Sequence, residues 1–142
     1  MKKKYMLFLI EKSYYAIEVI NVQEIITSLE ILDIPRKKSC CEGIVSLRGN
    51  ILPVIGGRKI FKIEKNKDKE DKTIIVLNNR EDSFGLLVEK VIDVIEIDEN
   101  DFLEADLKNS DQGIIESNEK LFKFKEFTVS ILDIELFDSV VK

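Results

Sequence analysis

Side chains able to do covalent chemistry are few in this chain. It has no histidine, which removes the usual base of a nucleophilic triad. Lysine and carboxylate bases remain available, but no pattern positions one. The two cysteines, Cys40 and Cys41, are adjacent. Neighbouring residues rarely form a disulfide, because the geometry is strained. With no histidine and no second cysteine pair they do not compose a zinc site, and they read as small packing residues in a reducing cytosol. Gly56-Gly57 is not followed by a helix carrying Lys-Ser/Thr, so it is not a phosphate loop, and no dinucleotide fingerprint is present. The acids of Asp98–Asp111 lack the ordered spacing and the glycine of a calcium loop. The expectation is a protein that is not an enzyme and needs no cofactor and no metal.

A chain of 142 residues, 44% hydrophobic and 35% charged, is one domain's worth and can bury a core. Its net charge is -5, which argues against nucleic acid or an anionic membrane surface as partner. The lysines of Lys65–Lys72 alternate with acids and read as a solvated loop. No apolar run approaches the roughly 18 residues of a membrane span. Met1-Lys2-Lys3-Lys4 leads into Tyr5–Ile10, an apolar stretch too short for a signal peptide and without a small-residue cleavage site. The expected location is the cytoplasm.

The elements that position the rest are organised around Gly43–Arg58. Two short strands flank Gly49-Asn50, which reads as a two-residue primed hairpin turn. That pairing sets Leu47 opposite Leu52 and Val45 opposite Val54 on a core face. It sets Arg48 opposite Ile51 on the other face. Upstream, Tyr5–Glu11 and Tyr14–Ile20 read as strands. Asn21 looks like an N-cap with Glu24 completing a capping box, so a helical turn is predicted near Val22–Ile26. Leu29–Ile34 is β-like and closed by Pro35. Pro53 places its strand at an edge or beside a bulge. Downstream, Arg58–Lys72 is a polar loop, and Thr73–Asn78 and Ser83–Val88 are strands about a turn at Asn79–Asp82. A second helical turn is predicted in Glu89–Val94, leading into a strand. Asn100–Gln112 is acidic and irregular. Leu121–Phe124 and Phe127–Ile134 form a last hairpin around Lys125-Glu126, and Leu136–Val141 a closing helical turn. The fold class is all-β with short helical turns.

An internal repeat is visible. Tyr15–Ile26 aligns with Phe84–Ile95, with Val19/Val88, Val22/Val91 and Ile26/Ile95 identical and Glu24/Asp93 alike. Gly43 and Gly113 each precede a hairpin. Two similar small β units in tandem account for this.

Gly43-Ile44-Val45-Ser46-Leu47-Arg48-Gly49-Asn50-Ile51-Leu52-Pro53-Val54-Ile55 resembles the signature of the CheW-like family, the bacterial chemotaxis coupling proteins. Val22-Gln23-Glu24-Ile25, Thr73-Ile74-Ile75-Val76 and Gly85-Leu86-Leu87-Val88-Glu89-Lys90-Val91 are similar to further family segments, so the resemblance spans about Tyr5 to Phe137. It implies two intertwined five-stranded SH3-like barrels sharing an apolar seam, and residues 1–142 as a single domain of two similar barrel subdomains. It implies a non-catalytic adaptor that bridges chemoreceptor tips and the regulatory domain of the histidine kinase CheA, meeting the membrane only through receptors.

By the same resemblance, Leu47, Arg48, Ile51 and Val54 face the kinase, with Leu47 and Val54 also readable as core. Val22, Glu24, Ile25, Arg48, Val88 and Val91 face the receptor, the valines and Ile25 lining a groove between barrels or else packing as inter-barrel core. Family members carry Arg and Glu at positions 48 and 24, which implies that the two pair beside that groove. Two departures stand out. The family usually has Asp-Leu-Arg where this chain has Gly56-Gly57-Arg58, while Asp133 keeps the acid in the second copy, so the first turn is expected to be looser. Cys40-Cys41 stands where an aliphatic residue is more usual. The alternatives are a divergent scaffold for another two-component kinase, and an oligonucleotide-binding barrel. The latter would need a basic groove with exposed aromatics.

Overall fold

A computed structural model describes residues 1–64, 70–80, 82–106 and 118–141. The strands are β1 (Lys2–Ile10), β2 (Ser13–Glu18), β3 (Val22–Ile26), β4 (Cys41–Leu47), β5 (Asn50–Gly56), β6 (Thr73–Asn79), β7 (Asp82–Val88), β8 (Lys90–Asp98), β9 (Leu103–Asp106), β10 (Asn118–Phe124) and β11 (Phe127–Leu132). Helix among the described residues is confined to α1 (Gly57–Ile60), α2 (Asp138–Val141) and 3-10 turns at Val19–Asn21, Glu99–Asp101 and Ile134–Phe137. The all-β class and the helical C-terminus are as expected.

One sheet runs β8-β1-β2-β11-β10-β9 and the other β3-β6-β7-β5-β4. The order follows from two copies of one pattern that exchange strands. In the first copy the β1–β2 hairpin stays in the first sheet, and the chain then crosses to pair β3 with β6. In the second, the β6–β7 hairpin stays in the second sheet, and the chain crosses to pair β8 with β1. The last strand of each copy then runs parallel to the other copy's hairpin, β5 along β7 and β11 along β2. Matching positions recur: Glu24 pairs with Val76 as Asp93 pairs with Leu7, and Val54 with Gly85 as Ile131 with Ala16. Each sheet thus draws strands from both halves, and β9 is an addition at one edge.

Three apolar clusters follow. The central one lies between the sheets and holds Phe8, Ile17, Ile75, Leu77, Phe84, Leu86 and Phe137. Within the curl of the first sheet lie Leu7, Ala16 and Val129, and within the curl of the second Val45, Val54, Ile74 and Val76. Each large side chain so buried contributes about 1.5–3 kcal/mol.

Several expectations are corrected. The helical turn near Val22–Ile26 is strand β3, and that of Glu89–Val94 is the start of β8. Both strands carry a bulge, which spaces their apolar residues as Val22, Ile25, Ile26 and Val91, Val94, Ile95, and so imitates helical periodicity. Their β-branched residues favour extended backbone. Asn21 ends a 3-10 turn rather than capping a helix; Glu18 stands at the N-cap and makes no side-chain capping bond. Leu29–Ile34 contributes only a bridge from Leu32 to Ile44. The central hairpin turns at Arg48-Gly49, both with positive φ (50° and 83°), not at Gly49-Asn50. Leu47 therefore pairs with Asn50, Ser46 with Ile51 and Val45 with Leu52. The slip is by two residues, so the inward face is unchanged. Pro53 is not on an edge strand. It sits one residue before the ladder to β7 begins, and β4 beside it bulges between Cys41 and Gly43. Arg58–Lys72 opens with α1, and Asn100–Gln112 contains a 3-10 turn and β9. The rest of those two loops at 65–69 and 107–117, with Gly113, and residue 81 of the Asn79–Asp82 turn, lie outside the described residues.

Candidate functional site

The site is assembled where β3 approaches the tip of the β4–β5 hairpin, two strands at opposite borders of their sheet. Arg48 Nη1 donates to Glu24 Oε1 at 2.6 Å and Nη2 to Oε2 at 3.2 Å. This fork is the geometry in which a guanidinium matches a carboxylate best. The pair therefore latches side chain to side chain across the mouth of the curled sheet. A cavity of about 430 Å³ opens there, and Leu47, Asn50, Leu52, Asp82 and Ser83 line it beside the pair. The Arg48 side chain is 73% exposed and that of Glu24 27%, so the pair adds only about 0–1 kcal/mol to stability. Meanwhile Arg48 holds left-handed backbone, which costs a non-glycine residue roughly 1–2 kcal/mol. Glu11, Arg36, Lys62, Arg80 and Lys125 hold positive φ as well, so what sets Arg48 apart is its forked bond to Glu24 and not its backbone. The capping-box reading of Glu24 falls away, since Glu24 lies within β3 and Asn21 ends a 3-10 turn.

The remaining site residues divide by burial. Ile51 is exposed on the outer face of the hairpin, opposite Ser46. Leu47 is half-buried against the cluster inside the second sheet. Ile25 is exposed, and Val22 and Val91 are half-buried against the central core from the two crossover strands. Val54 and Val88 are fully buried. Their assignment to partner-binding surfaces is corrected, because neither can touch a partner while the core is closed. Both cysteines are free and buried.

The segment expected to be looser is tightly held. Gly57 has no room for a side chain, since a Cβ would stand 2.5 Å from Ile10 Cδ1 and 2.8 Å from the Leu87 carbonyl oxygen. The Arg58 side chain is 8% exposed. Its Nη1 donates to Glu11 at 2.6 Å and to the Glu64 carbonyl at 3.0 Å, and its Nε to Asp71 at 2.7 Å; Glu89 stands 3.7 Å from Nη2. Burial lowers the guanidinium pKa, but hydrogen bonds to Asp71 and Glu11 outweigh that and leave it raised. Arg58 thus ties the β1–β2 turn, the entry to β6 and the β7–β8 crossover to one point. The sequence reading missed this centre, since its acids are dispersed along the chain; the signal was an arginine directly after two glycines that end a buried strand.

Comparison with known proteins agrees with this architecture. A family model described as CheW-like domain matches residues 4–140. The chemotaxis protein CheW of Thermotoga maritima is 31% identical over 90% of this chain and 82% of its own length. That of Bacillus subtilis is 26% identical over 92% of this chain and 83% of its own. The crystal structure of the scaffolding protein TtCheW from Thermoanaerobacter tengcongensis superposes with a TM-score of 0.83 at 30% identity, covering 100% of this chain and 92% of that one. With the family model matching nearly its whole length, the chain belongs to the CheW-like family.

Proposed function

We infer that this chain is a chemotaxis scaffold of the CheW kind, a non-catalytic adaptor coupling chemoreceptors to the histidine kinase CheA. We assign the kinase side to the β4–β5 hairpin, with Ile51 as its exposed anchor, Leu47 beside it and Val54 supporting it from the core. The receptor side is the surface carrying Val22, Ile25 and Val91, over the buried Val88. Glu24 and Arg48 join the two. The observation that carries this reading is the forked Glu24–Arg48 bond, which joins β3 to the hairpin tip. The partners are the receptor's helical-hairpin tip and the regulatory domain of CheA, met in the cytoplasm, with the membrane approached only through receptors. Residues 1–142 act as one domain of two similar barrels. No helix among the described residues is long and apolar enough to cross a membrane.

The test is reconstitution with a receptor cytoplasmic tip and the CheA regulatory domain from the same organism. Ile51→Asp should weaken kinase binding and leave the unfolding midpoint in place. Truncating one partner of an interfacial charge pair costs about 2–5 kcal/mol of binding, so Arg48→Ala and Glu24→Ala should each reduce affinity by that order. Their double variant should lose less than the sum. Strictly additive losses for both partners would separate the two residues, and an unchanged kinase affinity in Ile51→Asp would remove that residue from the site.

A further inference from the structure

The ladder between β3 and β6 contains one extra residue. Val22 pairs with Leu77 and Glu24 with Val76, leaving Gln23 unmatched. Residues two apart on a strand ordinarily share a face; an inserted residue sends them to opposite faces. Val22 accordingly packs with Leu77 on the central core, while Glu24 shares the side of Val76, inside the curl of its sheet, where Arg48 is. The bulge is what allows neighbouring positions of one short strand to serve the core and the site together.

Gln23 does not hang free. Ser83 Oγ, on β7, donates to Gln23 Oε1 at 3.0 Å, reaching over β6. The second half of the molecule repeats the bulge at the matching place. Leu7 pairs with Asp93 and Phe8 with Val91, leaving Ile92 extra. There Tyr14 stands where Ser83 stands, so the extra residue has no polar clamp. The matching acid and cation do not meet: Asp93 Oδ1 accepts from the Val94 backbone N–H, and Lys125 Nζ lies 5.3 Å from the Phe124 ring centroid. In this half the bulge lacks a clamp, and its acid, one methylene shorter than Glu24, turns to its own backbone.

We propose that Gln23 is the positioning residue of the Glu24–Arg48 site, its bond to Ser83 locking the bulge so that Glu24 is aimed at Arg48. This deepens the docking role assigned to that pair and rests on it. The experiment therefore has one readout that needs no partner. A forked carboxylate slows rotation of a guanidinium about its Nε–Cζ bond, and this rate is measurable by NMR of Arg48 in the free protein. Gln23→Ile, which copies the second half, and Ser83→Ala should each speed that rotation about tenfold, the scale of one lost hydrogen bond. Ser83→Thr, which keeps the hydroxyl, should restore it. Gln23 is exposed, so the unfolding midpoint of Gln23→Ile should stay close to that of the parent. Affinity for the receptor tip should fall about fivefold in both variants, and no further when Glu24→Ala is already present. Unchanged Arg48 rotation in both variants overturns the proposal. Faster rotation with unchanged affinity upholds the positioning role and instead defeats the docking role of the pair.

Discussion

Each half of the molecule ends its last strand in a helical turn, and the two turns are built from different chemistry. After β11, Asp133 is the N-cap and its carboxylate accepts from the Glu135 backbone N–H. After β5, the same place is held by Gly56, which has no side chain to cap with. The first turn is anchored all the same, because Arg58 inside it reaches three carboxylates. The second turn is held by its own cap and by Phe137 in the central core, the first by a buried cation that gathers acids far apart in sequence. The mouths of the two curled sheets differ in the same spirit. The second sheet's mouth is latched by an ion pair. In the first sheet, Phe127 stands at the position of Asn50 and Tyr14 at that of Ser83, and their rings meet at 4.4 Å between centroids. Equivalent positions in one repeated fold are thus free to exchange charge for aromatic surface, provided that something holds each end.

The largest effect expected from this contrast is at Arg58. Replacing it with Ala leaves the half-buried Glu11, Asp71 and Glu89 around an absent cation, and breaking a fully buried pair costs about 3–5 kcal/mol, which sets the upper end of the expected loss. Equilibrium denaturation of Arg58→Ala measures it. A loss below about 1 kcal/mol, the range of exposed pairs, would show that the first turn does not depend on this centre.

Next in size is Gly57→Ala. Its Cβ would meet the Leu87 carbonyl oxygen at 2.8 Å as well as the Ile10 side chain, and overpacking of this kind costs about 1–3 kcal/mol. Asp133→Ala, in the other turn, removes one capping bond, for about 1 kcal/mol. The contrast sharpens if the cap is transplanted. Gly56→Asp places its Cβ against Glu42 Oε1, setting an acid against an acid, so alone it should bring no gain. Combined with Glu42→Ala it should recover about 0.5–1 kcal/mol of capping. A gain from Gly56→Asp alone would mean that Glu42 yields freely and that the two turns are interchangeable.

These differences also mark what can be read from the sequence. Alternating apolar residues reveal the β class, the inward face of the central hairpin and the repeat, because each rests on neighbours a few positions apart. The Glu24–Arg48 pair is legible only by resemblance. The faces of Val22 and Glu24 are not, since a bulge is invisible until the ladder is seen, and without it the apolar spacing reads as helical. Val54 already leans to core by its inward place in the hairpin, whereas Val88 reads equally as groove or core, and only the packing of both sheets decides it. The Arg58 centre is hidden for a related reason: Glu11, Asp71 and Glu89 are brought together by strand exchange between the halves, which no local pattern encodes.

The smallest effect is the most discriminating for the site. Arg48 and Lys125 occupy the same place in the two hairpin turns, and both hold left-handed backbone, with φ of 50° and 55°. Glycine adopts that conformation without the Cβ penalty. Lys125 has no ion pair among the described residues, so Lys125→Gly should stabilise the protein by up to about 1–2 kcal/mol. Arg48→Gly gains the same relief but forfeits the bond to Glu24, worth about 0–1 kcal/mol when exposed. The difference between the two substitutions, read from unfolding midpoints, is therefore the value of the pair to folding less that of the Lys125–Phe124 cation–π contact, which Lys125→Gly removes, and is free of the turn's strain. It should be under about 1 kcal/mol and shrink as salt is raised, because screening acts on exposed charges. A larger, salt-insensitive difference would make the pair part of what holds the fold. In that case the loss of partner binding in Arg48→Ala would have to be read first as loss of structure.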